Sequence, residues 1–328
     1  MNWETIDWNA LERMRTAFLQ NTAGAADYWQ SESDLESYDA TFAQRIGWKW
    51  DYVLEELKRR GWLPPQGELL DWGCGSGVAG RAFLDHFGEK SVSVLRVWDR
   101  SPLAISYAAA RARAKYPKLK IIAGNGTPSA NDVLLISHVL TELTPEQTQT
   151  LADEAAKAQC VLWVEPGTYE ASLTLIALRE RLRSQFKVVA PCTHQELCGI
   201  LAPENERHWC HHFASPPSEV FMDGNWGRFA RVMGIDLRDL PLSFLVLDKR
   251  PVPSLPAGAG RVIGHPRIYK GHALLLGCEA TGVRERKLTK RHFPEEFRAW
   301  RKGTADVLRQ WQYAGDEITE SKPLSGHP

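Results

Sequence analysis

Apolar side chains recur at helical spacing through the first sixty positions, as Trp8, Leu11, Met14 and Phe18 and then as Phe42, Ile46, Trp50, Val53, Leu54 and Leu57. A period near 3.6 predicts amphipathic helices that bury one stripe each. The run Gly61-Trp62-Leu63-Pro64-Pro65-Gln66-Gly67 breaks that pattern and introduces a short strand over 68–71. Apolar runs at 92–98, 120–123, 133–137 and 160–164 then alternate with helical stretches at 79–87, 102–115 and 145–158. Such alternation predicts an α/β fold with a parallel, doubly wound sheet, because parallel neighbours need a crossover helix between them. A Cys- and His-rich stretch over 191–213 interrupts this pattern before 225–234 and the apolar strand 242–248 resume it. Beyond the Pro/Gly-rich linker 250–260, the segments 261–268, 272–279 and 282–289 read as short strands, and the last ten residues read as disordered. The expected division is a helical region at 1–65, a central α/β domain at 66–250 with a metal-binding insertion at 190–213, and a basic β appendage with a tail at 251–328. No internal repeat is visible.

Composition sharpens this picture only locally. A chain of 328 residues with 43% hydrophobic content can bury a full core. No apolar run approaches the roughly 20 residues of a spanning helix, and the opening Met1-Asn2-Trp3-Glu4-Thr5 lacks a basic region followed by an apolar one. The expectation is therefore a cytoplasmic protein that does not enter membranes; its oligomeric state is not legible, and a monomer is only the guess. Forty basic residues balance forty acidic ones, so net charge gives no argument for a nucleic-acid partner. The segment 261–309 nevertheless collects Lys270, Arg284, Arg286, Lys287, Lys290 and Arg291, a basic face suited to phosphates. An ordinary solvated surface would carry the same residues.

The most informative stretch is Asp71-Trp72-Gly73-Cys74-Gly75-Ser76-Gly77, a strand ending in an acid and running into three spaced glycines. Gly73, Gly75 and Gly77 would let backbone N–H groups approach a ligand at a helix N-terminus. A tight strand-to-helix turn without ligand would look similar. The second strand supplies the discriminating residue, since it ends in Asp99, placed where a carboxylate can accept bonds from ribose hydroxyls. Asn125, in Gly124-Asn125-Gly126, follows the third strand where adenine is commonly held, and Ser137-His138-Val139-Leu140 closes the fourth strand at the same sheet edge. Gly77 is not followed by Lys-Ser or Lys-Thr, which argues against a phosphate-binding P-loop and leaves a dinucleotide site as the competing cofactor. The Asp-x-Gly-Cys-Gly-x-Gly form resembles the first motif of the class I methyltransferase superfamily, which implies S-adenosylmethionine, with Asp71 toward its amino group.

Three cysteines and four histidines fall within about two dozen positions, from Cys192, His194 and Cys198 to His208, Cys210, His211 and His212. Six cysteines in a chain without an export signal suggest metal rather than disulfides. The spacing is not that of a paired Cys-x-x-Cys ribbon. Cys278, ending the strand 272–277, could return to the cluster and complete four thiolates, which suits iron–sulfur as well as zinc, and a histidine could instead complete a Cys3His zinc site.

Asp71–Gly77, Val164-Glu165-Pro166-Gly167, Pro191-Cys192-Thr193-His194, Trp209-Cys210-His211-His212-Phe213 and Lys270-Gly271-His272 with Cys278 stand in the order found in one family. The chain resembles the mitochondrial small-ribosomal-subunit methyltransferase-like proteins and their bacterial relatives over roughly 35–300. The resemblance implies a Rossmann-like class I methyltransferase sheet and a four-iron four-sulfur cluster on Cys192, Cys198, Cys210 and Cys278. It also implies association with small-subunit ribosomal RNA or an assembly intermediate, in the bacterial cytoplasm or, in a eukaryote, the mitochondrial matrix. Catalysis is less legible. Exocyclic-amine methylation is associated with an Asn/Asp-Pro-Pro-aromatic tetrad where this chain reads Ser137-His138-Val139-Leu140, and Cys160 begins a strand and points into packing, so it offers no nucleophile. His138 and Glu165 remain as candidate proton acceptors. The alternatives are a non-catalytic RNA-binding assembly factor that kept the cofactor fold, and a zinc-containing small-molecule methyltransferase.

Overall fold

The structure is a computed structural model that describes residues 3–20 and 28–324. Three helices lead the chain, α1 (Trp8–Leu19), α2 (Glu32–Ala40) and α3 (Phe42–Arg59). The side chains of Asp7 and Ser31 cap the first two by accepting from Ala10 N and Asp34 N, which satisfies donors that a helix start leaves open. The α/β body follows: β1 (Glu68–Trp72), α4 (Val78–Phe87), β2 (Val94–Trp98), α5 (Pro102–Lys115), β3 (Lys120–Ala123), β4 (Val133–Ser137), α6 (Pro145–Ala155), β5 (Cys160–Pro166), α7 (Tyr169–Leu182), β6 (Lys187–Ala190), β7 (His212–Ala214), α8 (Gly224–Met233) and β8 (Leu240–Asp248). The chain ends in β9 (Ala259–Ile268), β10 (His272–Glu279), β11 (Gly282–Thr289), α9 (Pro294–Lys302), β12 (Leu308–Ala314) and β13 (Glu317–Pro323).

Among the described residues the main sheet runs β3-β2-β1-β4-β5-β8-β6, with β7 pairing β8 off that path. The sheet is mixed, which corrects the all-parallel expectation: β8 lies antiparallel to β5, β6 and β7. This order, with one antiparallel strand inserted beside β5, is the class I methyltransferase-like arrangement. The order reverses between β1 and β4, so the carboxyl ends of those strands open into a crevice where such sheets bind ligands.

One face of the sheet packs on α3, α4 and α5 through Trp50, Val53, Leu57, Phe83, Leu95 and Ala108. The other packs on α6 and α7 through Leu134, Leu151, Trp163, Leu175 and Leu178. The first helix pair meets α8 and α5 in a separate aromatic cluster containing Met14, Trp29, Tyr107, Trp226 and Phe229.

The C-terminal appendage is larger than expected. Strands β10-β11-β13-β12-β9 close into a barrel around Val262, Leu275, Leu288, Trp311 and Ile318, with Phe297 and Trp300 of α9 packed on the same core. The expected disorder of the last ten residues is corrected as far as Pro323 by β13, whose Ile318 is fully buried in that core. Residues 325–328 lie outside the described residues.

Candidate functional site

The crevice above β1 and β4 is a cleft of about 360 Å³. Its floor is the glycine loop, Trp72 to Ser76, and its sides are Trp98 and Asp99 after β2 and Ser137, His138 and Val139 after β4. The glycines are positioned as the loop demands. Gly73 and Gly77 hold positive φ angles of 66° and 80°, and a Cβ would come within 2.9 Å of Val139 Cγ1 at the first and of Ala108 Cβ at the second. Gly77 also starts α4 in the left-handed conformation, a shape that favours glycine. Asp99 ties loop to strand, its carboxylate accepting from Gly75 N and Ser101 N, each at 2.9 Å.

Asp71 is fully buried beneath the loop rather than on the cleft wall. Its Oδ2 accepts from Gly80 N at 2.9 Å, while Oδ1 has no hydrogen-bond partner among the described residues. Burial raises its pKa to about 7 against the opposing pull of that hydrogen bond and of Arg81. Asn125 is exposed and outside the wall. The expected adenine neighbourhood is instead filled by the rings of Trp98 and Trp72, 4.7 Å apart, which leave no room for a Cβ at Gly126.

Sequence reasoning missed the cover of this cleft. Tyr28, Trp29 and Tyr38, from the helical N-terminal region, complete its wall. Tyr28 and Trp29 stand 4.6 Å apart, and Trp29 meets Tyr38 edge-on at 5.0 Å. Glu142 was also missed. It lines the cleft, accepts from Tyr28 Oη at 3.3 Å, and burial raises its pKa to about 7. The signal in the sequence that could have found the cover is the density of aromatics from Tyr28 to Phe42.

After β4 the chain makes a constrained turn. His138 has φ of 56°, in the left-handed region that a side chain rarely adopts, a conformation costing roughly 1–3 kcal/mol. Its Nε2 lies 3.2 Å from Lys49 Nζ of α3, and Ser137 Oγ accepts from Trp50 Nε1 at 2.9 Å. Burial and the nearby cations Lys49 and Arg45 push His138 well below its ordinary value, and burial lowers Lys49 to about 7. Glu165 is fully buried and away from the cleft wall. Its carboxylate accepts from Trp163 Nε1 at 2.7 Å, Val139 N at 3.1 Å and Leu140 N at 3.3 Å. It holds the post-β4 turn, and the structure does not bring it to a substrate.

A second constellation sits where the barrel meets the sheet. Cys192 and Cys198 follow β6, Cys210 precedes β7, and Cys278 lies near the end of β10. A cavity of about 30 Å³ is lined by Cys192, Cys198, Cys210 and Arg179. Cys278 packs with Cys198, Cys210, Ile176, Ile200 and Val283 in the same apolar cluster. The thiols sense one another: burial, then the neighbouring cysteines, raises Cys198 to about 11 and drives Cys210 and Cys278 higher still. Two imidazoles join them, His194 Nε2 at 3.8 Å from Cys278 Sγ and His212 Nε2 at 3.6 Å from Cys210 Sγ. Among the described residues no three His, Cys, Asp or Glu side chains stand at metal-holding geometry.

Three buried guanidiniums surround the thiols. Arg60 donates to Val189 O at 2.7 Å, Pro191 O at 2.8 Å and Cys192 O at 2.9 Å. Arg261 donates to Pro191 O at 3.2 Å and to His212 Nδ1 at 3.3 Å. Arg179 donates to Glu196 O at 2.7 Å, and burial, which would lower it, is outweighed by neighbouring Cys192 and Glu180, so its net shift is upward.

Of the expected phosphate contacts, Lys270, Arg284, Lys287, Lys290 and Arg291 are exposed. Arg286 is corrected. It pairs across from the core residue Leu275, is buried, and lies over the Tyr313 ring at 3.6 Å, so it serves the barrel.

Residues 50–307 match the profile of the family described as mitochondrial small ribosomal subunit Rsm22. The chain belongs to this family. No curated protein sequence matches it. Solved structures similar to it include a magnesium protoporphyrin IX methyltransferase from Synechocystis with bound S-adenosylmethionine, 11% identical with a TM-score of 0.39, covering 75% of this chain and 98% of that one. A second is an S-adenosylmethionine-dependent methyltransferase from Leishmania major, 14% identical with a TM-score of 0.39, over 74% and 83% of the two chains. A third comes from Aquifex aeolicus, 13% identical with a TM-score of 0.37, over 52% and 94%. Similarities this distant leave the functional reading of this Rsm22-family chain to its own residues.

Proposed function

We propose that this Rsm22-family chain binds S-adenosylmethionine and acts as a methyltransferase on the RNA of the small ribosomal subunit or of its assembly intermediates. The observation that carries the reading is the cleft at the point where strand order reverses, floored by glycine-loop backbone and flanked by Asp99 and two tryptophans whose rings lie 4.7 Å apart. The family's name supplies the ribosomal partner. When bound, the cofactor supplies a methyl group on a positively charged sulfonium. Gly73, Gly75 and Ser76 would accommodate its amino-acid portion, Asp99 its ribose hydroxyls and the Trp98 ring its adenine. The orphaned Oδ1 of Asp71 is a buried acceptor that fits a cationic ligand above it. Tyr28, Trp29 and Tyr38 would exclude water, and of the two cleft groups that could take a proton from an incoming acceptor, Glu142, raised to about 7, is better poised than His138, which burial and Lys49 hold neutral.

Cys192, Cys198, Cys210 and Cys278 would hold a four-iron four-sulfur cluster. Their soft donor chemistry fits, and Arg60, Arg179 and Arg261 offset the negative charge that four buried thiolates would bring. The cluster would join the barrel strand β10 to the segment between β6 and β7. Zinc on the same thiols, or with His194 in place of one, is the competing occupant.

A second reading is favoured by Glu165, whose carboxylate is fully engaged in holding Val139 and Leu140. With no carboxylate from β5 available at the cleft, the protein could serve as an assembly factor that binds RNA and cofactor without methyl transfer. The two readings separate when purified protein, S-adenosylmethionine carrying a labelled methyl group and small-subunit particles are incubated beside an Asp99→Ala control. Label in RNA that is lost in the control supports the enzyme. Particle binding without label supports the assembly factor.

A further inference from the structure

The barrel's connectivity is more specific than its size. Taken from β9, the order around it is β9-β10-β11-β13-β12 and back to β9, with β11 and β13 parallel and α9 placed between the third and fourth strands. This is the connectivity of the OB fold, a five-stranded Greek-key barrel. Barrels of this kind take oligonucleotides across the outer face of their second and third strands, between the loops joining strands one to two and four to five.

In this chain the corresponding face is divided. Alternation along β10 sends Ala273 and Leu275 into the core and leaves His272, Leu274 and Leu276 on the outside. The Leu276–Cys278 end is covered, because Leu276, Cys278 and Val283 pack against Ile176 and Ile200 of the α/β body. The other end faces solvent. There Leu274 pairs across to Lys287 on β11 and to Arg267 on β9, and Arg267 forms an ion pair with Glu285.

The first loop supplies the feature a base would need. Tyr269 is 45% exposed and stacks on His272, with ring centroids 4.7 Å apart and planes 12° from parallel. An exposed aromatic held against a second ring presents one rigid face. The loop is fixed to the end of β11, as Lys290 N donates to Gly271 O at 2.9 Å. Exposed Lys270 lies in the loop itself and exposed Lys290 is held at it, and the fourth-to-fifth-strand loop lies beside exposed Lys287, whose N donates to Asp316 O at 2.9 Å and whose ammonium stands 4.0 Å from Glu317. Stacking on a ring face with cations tracking the backbone is how single strands are held without base-edge readout. A duplex would not offer an unstacked base to Tyr269.

We infer that the barrel is a single-stranded RNA-binding module, with one base stacked on Tyr269 and the flanking phosphates on Lys270, Lys287 and Lys290. The inference rests on the RNA reading above and names where on the chain and in what form the RNA is held.

The full chain is titrated into a fluorescently labelled oligouridylate of about a dozen nucleotides, a length within the site sizes of such barrels, and anisotropy is read at two salt concentrations. Tyr269→Ala should weaken binding roughly five- to a hundredfold, the range for losing one stacked base, and Tyr269→Phe should restore it. Lys287→Glu should lower affinity and flatten the salt dependence. Melting curves close to that of the unaltered chain verify that the variants fold. RNA binding unchanged by Tyr269→Ala, or equal affinity for a duplex of the same length, overturns the module while leaving the RNA reading standing. No RNA binding by the unaltered chain overturns both.

Discussion

Glu56 of α3 and Arg261 of β9 form a two-point ion pair at 2.7 and 2.6 Å, with both side chains sealed from solvent. Arg60 joins the same carboxylate at 2.8 Å, and Tyr52 Oη accepts from Arg261 at 3.1 Å. The pair links the N-terminal helices to the barrel through the wall of the cysteine site. Removing one partner strands the other as a buried charge. Glu56→Ala should therefore cost about 3–5 kcal/mol, seen as a large fall in melting temperature, while replacing both residues with apolar ones of similar volume should cost less. A single substitution that leaves the melting temperature unchanged contradicts this.

The same pair sets a pH dependence. Burial would raise Glu56, but Arg261 and Arg60 outweigh it and bring its pKa from 4.5 down to about 2. A carboxylate with a depressed native pKa adds stability that is present above its unfolded value and lost as pH falls through the native one. The contribution should fade between about pH 4.5 and pH 2, and denaturant midpoints measured across that range should fall less in Glu56→Gln than in the unaltered chain.

Cofactor affinity should depend on Asp99. Its carboxylate is expected to accept from ribose hydroxyls while keeping Gly75 N in place. Loss of charge-assisted bonds of this sort costs about 1.5–3 kcal/mol. Asp99→Ala should thus weaken S-adenosylmethionine binding by roughly ten- to a hundredfold in calorimetry, with the circular dichroism spectrum retained.

Glu142 should make that affinity pH-dependent. Burial raises it to about 7, so it gains charge as pH rises through neutrality, and a net-cationic ligand in the same cleft is favoured by the ionised form. Binding should tighten from pH 6 to pH 8, and Glu142→Gln should reduce the change. Asp71, raised to about 7 beneath the loop, would supply the remainder. Affinity that falls over this interval counts against a cationic ligand.

Metal content should follow the four gathered thiols. Protein purified without oxygen should contain iron and absorb broadly near ~400 nm, as thiolate-held clusters do. Serine at Cys192, Cys198, Cys210 or Cys278 should remove the band. Serine at Cys160, fully buried in β5, should leave it. A colourless protein containing zinc would replace the iron assignment.

Where backbone chemistry and hydrophobic period agreed, the fold was legible to the residue. Pro102 opens α5, which runs over the predicted 102–115, and the apolar runs of β3 and β4 have the predicted bounds, whereas α6, opened by a capping box of Thr144 and Gln147, ends at Ala155 rather than at 158. Helix α7 escaped because apolar residues also occupy its outer face. Its buried residues do fall on one face, with Ala171, Leu175, Leu178 and Leu182 at helical spacing, but Leu173 and Ala177 place apolar residues on the opposite face and blur the period. The direction of β8 escaped because period reports burial, not polarity of pairing. At the cleft, Gly73, Gly75 and Asp99 were legible from local spacing, whereas Tyr28, Trp29, Tyr38 and Glu142 arrive by tertiary packing that no spacing records. Arg286 misled for a related reason, since composition counts a cation without saying which face of a strand it occupies.

In the barrel, β13 sits between β11 and β12, so the strand that comes last of the five in chain order closes the ring from between two others. During synthesis the preceding strands must wait with two raw edges until Glu317–Pro323 has left the ribosome and threaded between them. Edges of that sort recruit foreign strands. A chain cut before Glu317 would therefore be prone to aggregate, although every residue discussed as a ligand, a platform or a proton carrier would still be present.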